Sequence, residues 1–205
     1  MKPTTRANRR FGLLRQMIRL RGYEELSAAP DPGGEAIVAG VLQGVGAEDS
    51  VVSTYQEYGA RSASRQRPLI MVCVYGDGAI DNEDLYDSFN DAVHWQLPVL
   101  FCCEHNLCGP FHQDLMLPAT FFGMPAYSID GMDVLAVADT VDEATEAIRY
   151  GAGPRLLELF SYRSQDLSFD PIEVLSDRMT AEDGLTEADL ADLRQAVATE
   201  LATSS

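Results

Sequence analysis

The stretch from residue 69 to residue 109, LIMVCVYGDGAIDNEDLYDSFNDAVHWQLPVLFCCEHNLCG, constrains the fold more than any other. Leu69 to Tyr75 are nearly all apolar and stop at Gly76-Asp77-Gly78, which reads as a strand buried on both faces of a parallel sheet. Asp81 or Asn82 can cap the next element, and Leu85, Phe89 and Val93 recur on one helical face. Pro98 ends that helix, and Val99 to Cys103 form a second apolar run that stops at Glu104-His105-Asn106. Strand, helix and strand in this order predict a right-handed crossover that delivers Asp77 and Asn106 to the same edge of the sheet. Open α/β sheets bind ligands at that edge. A carboxylate and an amide oxygen are hard donors, suited to Mg²⁺ or Ca²⁺ rather than zinc. Two side chains are too few for a dedicated cage, whereas Mg²⁺ commonly combines one or two protein groups with phosphate oxygens. The flanking glycines let a phosphate approach the backbone, and the following helix start adds partial positive charge. The local reading is a Mg²⁺-bridged diphosphate, although an isolated glycine-flanked Asp after a strand is more often an ordinary turn.

The whole stretch is more specific than its Gly-Asp-Gly. It resembles the thiamine diphosphate motif of the alpha subunit of 2-oxo acid dehydrogenases, the decarboxylating component, as in pyruvate dehydrogenase. That family has Gly-Asp-Gly-Ala, a helix carrying an Asn and Trp-x-Leu-Pro, then a strand ending in Glu-Asn-Asn. The counterparts are Gly76-Asp77-Gly78-Ala79, Asn90, Trp95-Gln96-Leu97-Pro98 and Glu104-His105-Asn106, without a gap. The resemblance implies Asp77 and Asn106 as metal ligands, with the backbone carbonyl of Cys108 as a third. His105 stands where the family has its first Asn.

The resemblance extends over most of residues 11 to 171. Gly33-Gly34-Glu35-Ala36 matches the family's Gly-Gln-Glu-Ala at the start of a helix expected from Glu35 to Leu42. Tyr55 matches a diphosphate-contacting Tyr, but Gln56 replaces its neighbouring Arg and Tyr58 a His, so a bidentate cation is lost. Asp130-Gly131-Met132-Asp133 and Gly151-x-Gly153-Pro154 match the family as well, and Leu156 to Tyr162 reads as a third strong strand. A helix from Asp133 to Tyr150 would turn Val134, Val137, Val141, Ala144 and Ile148 inward. Departures remain. The family's glycine-rich segments before the Gly-Asp-Gly are missing, leaving the short Arg-rich connection from Arg61 to Pro68, read as a solvated linker. Gln165-Asp166-Leu167-Ser168 stands in place of a loop with two histidines.

Composition narrows the function classes. The chain has 205 residues and a net charge of −17, which argues against a nucleic-acid surface. No run approaches the roughly 18 apolar residues of a membrane span, and the basic N-terminus lacks the apolar core of a secretory signal. Both point to the cytoplasm. Seven Lys or Arg and no acid occupy the first 21 residues, while the last 40 are strongly acidic. Three of the four cysteines, Cys73, Cys102 and Cys103, fall in the proposed strands as small apolar residues. No pair has zinc or redox spacing.

These readings predict one domain over residues 1–205, α/β, with a mostly parallel sheet and helices on both faces. The resemblance identifies it as the diphosphate-binding half of a thiamine diphosphate fold. An N-terminal helix is expected over about residues 5–28, with Phe11, Leu14, Met17, Ile18 and Leu20 inward and Arg15, Arg19 and Arg21 solvated. A C-terminal helix is expected over about 186–202, with Leu190, Leu193, Val197 and Leu201 on one face, and an irregular loop over 107–120. His94 is read as a structural side chain beside the core; His105 and His112 are candidate proton donors.

The resemblance implies thiamine diphosphate and Mg²⁺ as cofactors, with Tyr55, Gly76, Asp77, Gly78, Ala79, Asn106 and Cys108 around them. It also implies a beta-type, pyrimidine-binding partner, in an α2β2 assembly. The reaction expected is cleavage of a 2-oxo acid or, in a transketolase-like variant, a ketose. The two-carbon unit would pass to a lipoyl group or carrier-protein thiol, in a specialised biosynthetic setting. A catalytically inactive scaffold that keeps the fold is the competing expectation.

Overall fold

The computed structural model describes residues 5–25, 33–46, 49–53, 70–76, 78, 82–109, 115–162 and 169–204. In chain order the elements are α1 (Thr5–Glu25), α2 (Glu35–Gly44), β1 (Ser50–Ser53), β2 (Met71–Gly76), α3 (Asn82–His94) and β3 (Val99–Asn106). There follow α4 (Met116–Phe121), β4 (Ala126–Asp130), α5 (Val134–Arg149), β5 (Arg155–Ser161), α6 (Pro171–Asp183) and α7 (Glu187–Ser204). The strands form one parallel sheet in the order β1-β2-β3-β5-β4. Its central strands β2, β3 and β5 are rich in apolar residues, as two-sided burial requires.

Side-chain alternation divides the core. Val72, Val74, Leu100, Cys102, Leu157 and Leu159 point to one face, against Ile37, Val38 and Val41 of α2 and Val137, Val141 and Ile148 of α5. Tyr75, Phe101, Cys103 and Leu156 point to the other, against Leu85 and Phe89 of α3 and Ala119 of α4. Adjacent Cys102 and Cys103 are thus buried on opposite faces. Helices α2 and α5 lie unusually close because Gly40 and Gly44 have no side chain: an added Cβ would come within 2.6 Å of Val137 Cγ1 and of Val141 Cγ1 respectively.

A further layer covers α2 and α5. Leu13, Leu14, Met17 and Ile18 of α1 join Ile172, Leu175 and Met179 of α6 and Leu193, Val197 and Leu201 of α7. This layer is also ionic. Arg10 is 2% exposed and donates to Asp183 at 2.9 Å, and it pairs with Glu182 at 2.6 Å. Arg9 reaches Asp139 and Asp142, and Arg15 reaches Glu200. Arg21 donates to Glu35 at 2.7 Å and holds Asp170 through two N–H groups. Burial lowers the Arg21 pKa, but the hydrogen bonds of Glu35 and Asp170 outweigh it and the net shift is upward. The basic N-terminus and the acidic C-terminus are therefore partners within one chain.

Several expectations change. Arg21 is largely buried in an ion cluster rather than solvated, because two carboxylates meet it at the starts of α2 and α6. Phe11 is 40% exposed, its place inside being taken by Leu13. His94 is exposed and packs edge-on against Trp95. The loop expected over 107–120 contains α4, which docks Ala119 into the core. Helix α6 was not anticipated; Asp170 caps it by accepting the Ile172 N–H at 2.8 Å, and Pro171 opens its first turn. No helix among the described residues is long and apolar enough to cross a membrane.

Candidate functional site at the carboxyl ends of the strands

Parallel pairing brings the carboxyl ends of β2, β3 and β5 to one edge. Gly76, the last residue of β2, stands beside Glu104, and β3 continues two residues to Asn106, which stands beside Ser161 of β5. The chain then turns sharply. The Leu107 N–H donates to the Ser161 carbonyl at 2.9 Å, and the Gly109 N–H to the Asn106 carbonyl at 2.8 Å. The Asn106 side-chain Oδ1 accepts the Cys108 N–H at 3.1 Å. This Asx turn fixes the amide and leaves its oxygen a second lone pair. Asn106 is half-buried, and Cys108, Leu107 and Gly78 are exposed.

The described donor set fits a hard cation. The Asn106 Oδ1 and the Cys108 carbonyl belong to one tight turn, both are neutral oxygens, and neither suits a soft metal. The structure places Gly76, Gly78, Asn106 and Cys108 at the ends of neighbouring strands. Tyr55, Asp77, Ala79 and His112 lie outside the described residues, as do Gln56, Tyr58 and Leu167.

Beneath this edge lies a buried polar layer. On the α2/α5 face, Glu104 is 4% exposed and accepts the Ser161 hydroxyl at 2.9 Å. On the α3/α4 face, Glu158 of β5 accepts the Ser128 hydroxyl of β4 at 2.9 Å. Its other oxygen lies 3.4 Å from Nδ1 of His105. The His105 ring is buried and tilted against Phe160, with centroids 5.2 Å apart. It sits on the opposite face from Asn106, turned inward. Tyr75 is buried on the same face as His105; burial, and then the nearby cysteines and Glu158, raise its phenol well above the ordinary tyrosine range.

Glu158 matches the Glu of a family Leu-x-Glu-x-x-Tyr-Arg pattern, but the sequence assigns no role to it, to Ser128 or to Tyr75. The available signal was an acid inside an apolar strand, since a carboxylate amid Leu156, Leu157 and Leu159 needs a partner. Around the edge the surface is apolar: Leu107, Tyr162 and Phe169 are exposed, and the last two rings lie 5.9 Å apart.

A family model described as "Dehydrogenase E1 component" matches residues 38–171. The pyruvate dehydrogenase E1 component subunit alpha of Porphyra purpurea is 34% identical over 154 residues, covering 70% of this chain and 44% of that protein. The same subunit of Rhizobium meliloti is 32% identical over 155 residues, covering 62% of this chain and 44% of the relative. The alpha subunit of acetoin:2,6-dichlorophenolindophenol oxidoreductase from Bacillus subtilis is 36% identical over 108 residues, covering 49% and 32%. The chain thus spans less than half the length of these curated relatives. With the family model covering the sheet and its site edge, and with alpha subunits among its relatives, this chain belongs to the dehydrogenase E1 component family.

Proposed function

We propose that this chain is the thiamine diphosphate- and Mg²⁺-binding, alpha-type subunit of a two-subunit enzyme. That enzyme cleaves a 2-oxo acid or a ketose and passes the two-carbon unit to a lipoyl or carrier-protein acceptor. The observation that carries the reading is the Asn106 turn: a fixed amide oxygen beside the end of β2, where the chain runs into Asp77. Asp77, Asn106 Oδ1 and the Cys108 carbonyl would hold the metal. The backbone at Gly76, Gly78 and Ala79, with Tyr55, would face the diphosphate. When bound, thiamine diphosphate supplies an electron sink for the carbanion left by C–C cleavage. This chain's own groups bind and orient the diphosphate end.

Nothing in this reading gives the chain the pyrimidine-binding half of the site. A beta-type partner in an α2β2 assembly supplies it, and the exposed Leu107, Tyr162 and Phe169 flank the edge where the two halves would meet. The reading also includes a biosynthetic, cytoplasmic setting.

Gln56, Tyr58 and Leu167, in place of an Arg and two His, favour a second reading, in which the fold survives as a non-catalytic scaffold. Calorimetry of the chain with its co-purifying partner separates the two. Mg²⁺-dependent binding of thiamine diphosphate that disappears in Asp77→Ala and in Asn106→Ala is expected for the enzyme subunit. Absence of any such binding in the unaltered complex would leave only the scaffold.

A further inference from the structure

Glu158 lies inside the sheet at 3% exposure, in register with Cys103 of β3. Packing alone does not call for a carboxylate there, since Leu156 fills the equivalent position two residues earlier on the same face. Removing a carboxylate from water is costly unless it is well partnered. The partners come from both neighbouring strands: Ser128 of β4 donates to one oxygen at 2.9 Å, and Nδ1 of His105 on β3 faces the other at 3.4 Å. Tyr75 of β2 is 2% exposed, with no hydrogen-bond partner for its hydroxyl among the described residues. The carboxylate therefore links β4, β5 and β3.

His105 immediately precedes Asn106, and Tyr75 immediately precedes Gly76-Asp77. The β3 arm of the candidate site thus leaves the sheet one residue beyond a side chain that faces this buried carboxylate. Successive residues of a strand point to opposite faces, so holding His105 inward on one face sets the direction in which Asn106 leaves on the other.

We propose that Glu158 is a positioning residue for the site: through His105 it fixes the end of β3, from which Asn106 and Cys108 present their oxygens, without touching the cofactor. This deepens the function proposed above and rests on it for its consequence in binding. Groups that hold a ligand-bearing segment in place commonly change metal affinity by about 10- to 100-fold when removed. Partnered buried polar groups make such a segment rigid rather than merely stable.

Three variants test it: Glu158→Gln, His105→Asn and the two combined. The first readout uses the full chain without cofactor. Glu158→Gln should speed hydrogen exchange of the Cys108 amide, which is bonded to Asn106 Oδ1, by about tenfold or more, while α2 and α5 amides stay unchanged. His105→Asn leaves the Glu158–Ser128 bond intact and should reproduce that effect, so misfolding of the first variant would not hide the answer. The second readout is calorimetry of Mg²⁺ with thiamine diphosphate on the complex with the partner. Glu158→Gln should weaken binding by about 10- to 100-fold, and adding His105→Asn should cost nothing more.

Unchanged Cys108 exchange in both single variants would overturn the proposal. So would losses that simply add in the combined variant, since coupling through His105 requires non-additivity. If the unaltered complex binds no cofactor, the function proposed above fails, whereas the exchange measurement still decides the role of Glu158.

Discussion

Asp130 and Asp133 bracket the turn that enters α5, and both carboxylates are committed to the backbone. Asp130 accepts the Met132 N–H at 2.9 Å; Asp133 caps the helix through the Leu135 N–H at 3.0 Å and also binds Arg178 of α6 at 2.9 Å. Gly131 between them has no room for a side chain, since a Cβ would stand 2.7 Å from the Phe160 carbonyl and 2.8 Å from Ile37 Cδ1. Overpacking of this kind costs about 1–3 kcal/mol. Gly131→Ala should therefore lower the unfolding free energy by that amount, read as a lower urea midpoint with an unchanged slope of the transition. The cysteines give a second test at this scale. Cys108 is exposed and sits on the Asn106 turn, whereas Cys102 and Cys103 are buried; burial raises the thiol pKa of Cys102 and of Cys73. Thiolate is the reactive form. Alkylation of the native chain should reach Cys108 first, read by mass spectrometry, and Mg²⁺ with thiamine diphosphate should slow it in the complex.

Helix α1 is held to its neighbours by apolar packing along one stripe and by guanidinium groups at both ends. Arg21 matters most, because Glu35 is 2% exposed and Asp170 caps α6. Breaking a buried pair by removing one partner costs about 3–5 kcal/mol. Arg21→Met should therefore destabilise by roughly that amount in denaturant titrations, far more than Arg19→Met on the exposed face. Element by element, much of this molecule was legible in its sequence. Apolar runs mark β2 and β3, a run broken only by Glu158 marks β5, and the inward positions of α5 follow from a helical period. Asn106 could be located because its strand ends in polar residues directly after the run. The Glu158 network could not, because Ser128 and His105 lie 30 and 53 residues from it in the chain. They meet only because β5 inserts between β3 and β4. The burial of Arg21 escapes the sequence for a similar reason: its carboxylate partner Asp170 is 149 residues away.

Across the whole molecule, charge is sorted rather than spread. The net charge of −17 coexists with a basic first helix, because α1 lies against the acidic α6 and α7 and the outer face of α5. Exposed pairs of this kind are screened by salt, whereas the Arg10 and Arg21 clusters are shielded from it. Removing residues 1–25 should uncover the apolar faces of α6 and α7 and produce strong binding of a hydrophobic dye. Raising salt on the intact chain should produce little, and the reverse result would mean that surface charge rather than packing holds α1. The alternation along β3 has one more consequence. His105 and Asn106 are neighbours in the chain but occupy opposite sides of the sheet, so a slip of one residue would exchange them. An imidazole would then stand where the proposed site has an amide, with the amide stranded against a carboxylate. Fidelity of strand pairing, rather than the mere presence of the right side chains, is what would keep the chemistry of this edge correct.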